Sequence, residues 1–180
     1  MRTHLPMLAQ AAKALGHPQI RSRATVAGNI CTASPSGDCA PSLLALKALV
    51  KVASQSGERT IPIEAMFAGP FTTSLTPSDL VTEIHVPALP PASAGSYRWQ
   101  SKITAVDETL VGAAAVVSLD DGKGIKDVRI GLGSVSPTPM RALQAEEFLK
   151  GKQISDRLFA EAAKIAAGET QPRTRADYRR

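Results

Sequence analysis

Two long apolar runs joined by a tight acidic turn leave this chain few options: LVGAAAVVSL (Leu110–Leu119), then DDGKG, then IKDVRIGLG (Ile125–Gly133). The intervening Asp and Gly residues suit a chain reversal, so the pair reads as an antiparallel hairpin. SYRWQSK, Ser96 to Lys102, supplies a preceding strand. Thr138 with Pro139 opens a helix running through Leu149, and Ser155 is a good N-cap for another that carries Leu158, Ala162 and Ile165 and closes at Gly168. The second half is therefore expected to be a small antiparallel sheet covered by two helices.

The first half is organised differently. Leu5, Leu8, Ala12 and Leu15 fall at helical spacing, and Gly16 followed by Pro18 stops that helix, which places it over residues 5 to 15. Pro41 suits the first turn of a second helix carrying Leu43, Leu44 and Leu46. LVKVAS and RTIPI, separated by a Ser-Gly turn, read as a hairpin. In DLVTEIHV, alternation puts Leu80, Thr82, Ile84 and Val86 on one face of a strand and Val81, Glu83 and His85 on the other. The segment PALPPASAGS, Pro87 to Ser96, interrupts all periodicity, so a linker is expected at 88–96 between a unit at 1–87 and a unit at 97–180. The fold class is α+β.

With 180 residues, 43% of them hydrophobic, the chain can bury about 70% of its unfolded surface. No apolar run approaches the roughly 20 residues that cross a bilayer, and the amino terminus lacks the continuous apolar core of a signal peptide. A soluble, cytoplasmic protein is expected. The net charge of +5 would suit a nucleic-acid binder, but Lys and Arg are spread along the chain, only the tail from Arg173 is dense, and aromatics are 4% of residues. Cys31 and Cys39 have no His near them and match neither a zinc site nor a CxxC pair, so both read as small buried residues of a reducing compartment. His4, His17 and His85 are scattered, which argues against a catalytic triad or a metal centre.

One stretch cannot build a core: ATVAGNICTASPSGD, Ala24 to Asp38, holds small residues, hydroxyls, a Gly-Asn pair and a closing carboxylate. A bound polyphosphate needs converging N–H groups and residues too small to block it, and TVAGN fits that need. Gly28 permits close approach or positive φ, the Thr25 and Thr32 hydroxyls can donate to phosphate oxygens, and Asn29 can brace the loop. Asp38 can accept from ribose hydroxyls. The same pattern also fits an ordinary polar loop between two helices, with Asp38 capping the second.

QIRSRATVAGNICTASPSGDCAPSLLAL, Gln19 to Leu46, closely resembles the second FAD-binding motif in the flavoprotein subunit of molybdenum hydroxylases, the family of xanthine dehydrogenase and aerobic carbon monoxide dehydrogenase. SGERTIPIEAMFAGPFTTSLTPSDLVTEIHVP, AVDETLVGAAAVVSL and IGLGSVSPTPMRA resemble that family's later segments, so the likeness runs from about Leu5 to Arg180. It implies that Thr25, Val26, Ala27, Gly28 and Asn29 form the pyrophosphate loop, with Thr32 beside it and Asp38 as a further FAD contact. It implies also that Val81 lies against the flavin nucleotide, that Arg98 occupies a position usually held by Lys at the isoalloxazine, and that Ser101 to Thr109, including Asp107, approaches the ring face.

Two substitutions set the chain apart. Ala27 replaces a common glycine, which restricts positive φ, and Arg98 keeps the charge of Lys with different hydrogen-bond geometry. Relative to the family pattern, an amino-terminal third with another Gly-rich loop is missing and the sequence stops at ADYRR, before a usual final helix. The resemblance implies an FAD-binding oxidoreductase subunit, or a fragment of one, with no catalytic residues and no metal ligands of its own. A large molybdenum-cofactor subunit and a small [2Fe–2S] subunit would be its partners, and electrons would pass from the clusters through FAD to an external acceptor. The alternative expectation is a chain that retains the fold without flavin and serves as an interaction module for other subunits.

Overall fold

A computed structural model describes residues 4–101 and 108–172. Helix α1 (Pro6–Ala14) starts with proline in its first turn and ends before Gly16, whose φ of +45° turns the chain into the single turn α2 (Pro18–Arg21). Its buried side is Met7, Leu8 and Ala11, with Leu5 and Ala12 only packed against it, so the face is rotated from the expected Leu5/Leu8/Ala12/Leu15 stripe. The stretch expected as a continuous loop contains a short helix, α3 (Val26–Cys31). Thr25 is extended at its N-cap and its hydroxyl oxygen accepts from the Gly28 N–H at 2.9 Å. Small residues and a Thr cap are as compatible with a helical turn as with a loop, and here the cap decides.

Helix α4 (Cys39–Ala45) follows, with every residue buried. Strands β1 (Leu49–Ser54) and β2 (Gly57–Pro62) form the expected hairpin. A 3₁₀ turn at Ile63–Met66 and the small hairpin β3 (Phe67–Gly69) and β4 (Thr72–Thr73) lead to β5 (Leu80–His85), which joins the first sheet in the order β2-β1-β5. The pairing of β5 with β1 steps from Lys51↔Glu83 to Val52↔Val81, leaving Thr82 as a bulge. An extra residue shifts the alternation, so Val81 and Ile84 both pack against the core, contrary to a strict period of two.

The second sheet is β6 (Ser93–Gln100), β7 (Val111–Leu119), β8 (Ile125–Gly133) and β9 (Met140–Arg141), antiparallel in that order. Ser93 to Ser96, expected in the linker, pair with β7 from Ser118 to Ala115. Helix α5 (Leu143–Leu149) begins later than Thr138, because Met140 and Arg141 pair with Leu132 and Gly131 at the sheet edge. Its first N–H groups at Gln144 and Ala145 donate to the Glu169 carboxylate just beyond α6 (Asp156–Gly168), whose own N-cap is Ser155 as expected. No described helix is long and apolar enough to cross a membrane.

The two halves share one core. Tyr97, Ala114 and Val116 of the second sheet are buried in the same cluster as α1, α4 and β1, while α5 and α6 cover the opposite face of β8. Arg129 of β8 donates to the Leu44 carbonyl at 3.2 Å and to Glu64 at 2.7 Å, linking the halves a second way. The closest approach is backbone to backbone. A Cβ on Gly131 would stand 2.1 Å from the Pro41 carbonyl oxygen, and one on Gly133 would stand 2.8 Å from the Pro41 ring. Only glycine lets α4 seat on β8 at that distance.

Two substitutions follow with opposite signs. Gly131→Ala must push α4 off the sheet and is expected to destabilise the chain by about 3 kcal/mol in chemical denaturation. Phe71 follows Pro70 in the β3–β4 turn with φ +54° and is 62% exposed. The left-handed penalty, about 1–2 kcal/mol, exceeds what the exposed ring returns, so Phe71→Gly is expected to raise the denaturation midpoint.

Candidate functional site

The TVAGN segment presents the first turn of α3 to solvent. The Gly28 N–H is taken by the Thr25 hydroxyl and the Asn29 N–H by the Thr25 carbonyl, at 3.0 Å. The amides of Val26 and Ala27 have no acceptor among the described residues. Gly28 is helical, so the turn uses no positive φ and Ala27 imposes no restriction there. What Gly28 provides is room: a Cβ would lie 3.0 Å from Thr25 Oγ1, against the cap itself.

Three clefts meet around this helix. One of about 310 Å³ is lined by Arg23, Thr25, Gly28, Asn29 and Thr32. A wider one of about 590 Å³ lies between Ala27, Gly28 and Cys31 on one side and Thr76, Asp79 and Val81 on the other. The third, about 290 Å³, is bounded by Asn29, Ser34, Ser36, Asp38, Glu108 and Thr109. Thr25, Ala27, Gly28, Asn29, Thr32, Asp38 and Val81 are thus brought to one region, whereas the Val26 side chain packs into the core and leaves only its amide available.

The polar side chains have structural partners. Asn29 Oδ1 accepts from the Cys39 N–H at 3.2 Å, bracing α3 against α4. Thr32 donates its hydroxyl to the Gly28 carbonyl at 2.8 Å, so that proton is committed within the helix. Asp79 is gripped by both guanidinium nitrogens of Arg59 at 2.7 Å and by the Thr76 N–H, which hold its carboxyl well below the usual range. Those bonds fix the turn that carries Val81 into β5.

Asp38 sits at the N-terminus of α4 but its side chain does not cap it. It is 5% exposed, and Oδ1 accepts from the Tyr97 hydroxyl at 2.9 Å and from Thr109 Oγ1 at 2.6 Å. Burial raises its pKa, the two hydroxyls oppose that rise, and Glu108 adds to it. Tyr97 is raised in turn, by burial first and by Asp38 second. Ser36 donates to Glu108, completing a link between the 34–38 turn and the segment before β7.

Arg98 is not part of this region. It pairs with Ala113, is exposed, and lies on the opposite face of β6 from Tyr97. Of the Ser101–Thr109 loop, residues 102–107, Asp107 among them, lie outside the described residues. Arg23 and Tyr97 are not expected at the site from the sequence, and Thr109 is expected only as the end of the loop that approaches the ring face. Arg23 adjoins the quoted motif and is a cation next to small residues, a signal that was present. Tyr97 and Thr109 reach Asp38 only through tertiary pairing, which no local pattern announces.

An α+β frame that gathers small residues, free amides and a cation at one short helix defines a candidate phosphate-bearing ligand site. Two family models match this chain: the FAD binding domain in molybdopterin dehydrogenase over residues 1–89, and the CO dehydrogenase flavoprotein C-terminal domain over residues 96–180. The nicotine 6-hydroxylase medium subunit of Paenarthrobacter nicotinovorans is 36% identical over 168 residues, 93% of this chain and 57% of that protein. The glyceraldehyde dehydrogenase medium chain of Sulfolobus acidocaldarius is 31% identical over 174 residues, 96% of this chain and 60% of that one. In structure, the chain superposes with a TM-score of 0.90 and 32% identity on carbon monoxide dehydrogenase from Hydrogenophaga pseudoflava, over 98% of this chain and 62% of that chain. The chain belongs to the family of FAD-binding medium subunits of the molybdenum hydroxylases. It spans about 60% of the length of the relatives it matches.

The two cysteines differ, correcting the expectation that both are buried. Cys31 is exposed on the wall of the 590 Å³ cleft, while Cys39 is buried with its thiol pushed up to about 12 by burial and by Asp38. A thiol-reactive disulfide reagent at pH 8 is expected to label Cys31 alone in the native chain and both residues after denaturation, as read by mass spectrometry.

Proposed function

We propose that this chain binds FAD at the α3 clefts and forms the flavin-holding part of a molybdenum-hydroxylase complex. The observation that carries this is the pair of unpaired amides, Val26 and Ala27, beside the low wall of Ala27 and Gly28. Those groups suit a pyrophosphate: two N–H donors, Arg23 as a cation lining the same cleft, and small residues at Ala27 and Gly28 that leave room for the ligand. Asn29 holds α3 on α4, Val81 supplies an apolar wall, and the Asp38 carboxylate faces the adjoining cleft. Bound FAD would supply the redox chemistry, between electrons from iron–sulfur clusters and an external acceptor. The chain's own residues bind, orient and shield it.

The partners in this reading are a large subunit with the molybdenum cofactor and a small subunit with [2Fe–2S] clusters. Family membership supports it. A cytoplasmic location is proposed on the same basis, together with two free thiols and no disulfide among the described residues. Arg98, exposed on the face of β6 away from Tyr97, is proposed for the isoalloxazine end of the ligand and not for the pyrophosphate cradle.

Flavin titration of the purified 180-residue chain, followed by FAD fluorescence and the visible spectrum, tests the reading. Saturable binding is expected, with Gly28→Val weakening it about tenfold or more by displacing the Thr25 cap and filling the cleft wall. A folded chain that binds no FAD would instead favour the interaction-module alternative.

A further inference from the structure

Within the FAD reading just given, on which this inference rests, Asp38 is more constrained than a surface contact needs to be. Both hydrogen bonds that described residues make to its carboxylate end on Oδ1, one from Tyr97 in β6 and one from Thr109 in the segment before β7. Oδ2 has no hydrogen bond to a described residue, and Asp38 lines the 290 Å³ cleft. A carboxylate 95% removed from solvent with one oxygen tied and the other without a donor among the described residues is aimed, because rotation about χ2 would break two bonds at once.

The two donors are themselves held. Tyr97 is 1% exposed and stacks on Trp99 with ring centroids 6.0 Å apart. Its hydroxyl passes so close to Gly112 that a Cβ there would stand 2.6 Å from it. Thr109 is fixed through its carbonyl, which accepts from the Ser134 hydroxyl at 2.7 Å, while the Ser134 N–H donates to the Pro35 carbonyl at 2.7 Å. Pro35 precedes Asp38 in the same turn, so the ring of contacts closes on itself.

We infer that Tyr97 and Thr109 are positioning residues: they hold Oδ1 of Asp38 so that Oδ2 is presented to a hydrogen-bond donor of the bound dinucleotide. Neither touches that ligand in this scheme; each acts through Asp38. The titratable groups around the carboxylate are Tyr97 from β6, Cys39 from α4 and Glu108 from the segment before β7. Each hydroxyl bond favours the ionised form, so removing one makes Asp38 bind its proton at higher pH.

The test reads Asp38 and flavin separately. In the flavin-free chain, the carboxyl-carbon NMR titration of Asp38 is expected to shift to higher pH in Thr109→Val and in Tyr97→Phe, and to return to the wild-type midpoint in Thr109→Ser. FAD affinity should fall about tenfold in Thr109→Val and recover in Thr109→Ser. An unmoved midpoint in both variants overturns the inference. So does a moved midpoint with undiminished FAD affinity, because Asp38 would then be held for no purpose in binding. A wild-type chain that bound no FAD while its midpoint moved as expected would support the positioning of Asp38 and count against the flavin reading alone.

Discussion

The contact of Pro41 with Gly131 and Gly133 is the constraint from which the rest of the arrangement follows. A helix ordinarily rests on a sheet through side chains, at about 10 Å. Here the α4 backbone comes down onto β8, where a single methyl group at residue 131 would overlap the Pro41 carbonyl. That proximity makes α4 buried on all sides and joins the two halves into one core. It also sets the position of Asp38, three residues before Pro41, and through Asn29 the position of α3. The candidate site is therefore built at the seam, and its geometry depends on the packing of elements that carry no functional group.

Burying a short helix so completely has a chemical cost visible in the polar atoms. Ser42 Oγ and Arg129 Nε, both at the α4–β8 seam, have no hydrogen-bond partner among the described residues. Arg129 Nη2 reaches both the Leu44 carbonyl and Glu64, and the Glu146 carboxylate is held by Arg141 and the Ile130 N–H. Removing any one of these charges would strand another in a low-dielectric seam. The network thus gives the seam a single register more than it adds net stability.

Much of the fold was legible because it rests on local patterns. The hairpins β1–β2 and β7–β8, the Ser155 cap and the stop at Gly16 all follow from turn chemistry and periodicity. The misses have a common origin in pairing over distance. Thr82 became a bulge because β1 set the register, Ser93–Ser96 became strand because β7 lay beside them, and α5 started late because Met140 and Arg141 found an edge. In the site, the small residues and Asn29 could be read directly. That TVAGN winds into a helix could have been suspected from Thr25 as a cap, whereas the ties from Tyr97 and Thr109 to Asp38 span residue separations of 59 and 71 and leave no trace in composition.

The distribution of order around the site follows from the same physics. Backbone amides can hold an anion only if they are kept from pairing with each other, and a helix start does this because its first N–H groups have no acceptor behind them. A six-residue helix is too short to persist in isolation, so it must be held by its neighbours. Thr25 closes one end, Ile30 is anchored in the core, and Asn29 ties its flank to Cys39. Every one of those ties uses a side chain of the motif, which is why so many of its polar groups point inward to protein and the outward-facing wall is left to Ala27, Gly28 and bare backbone.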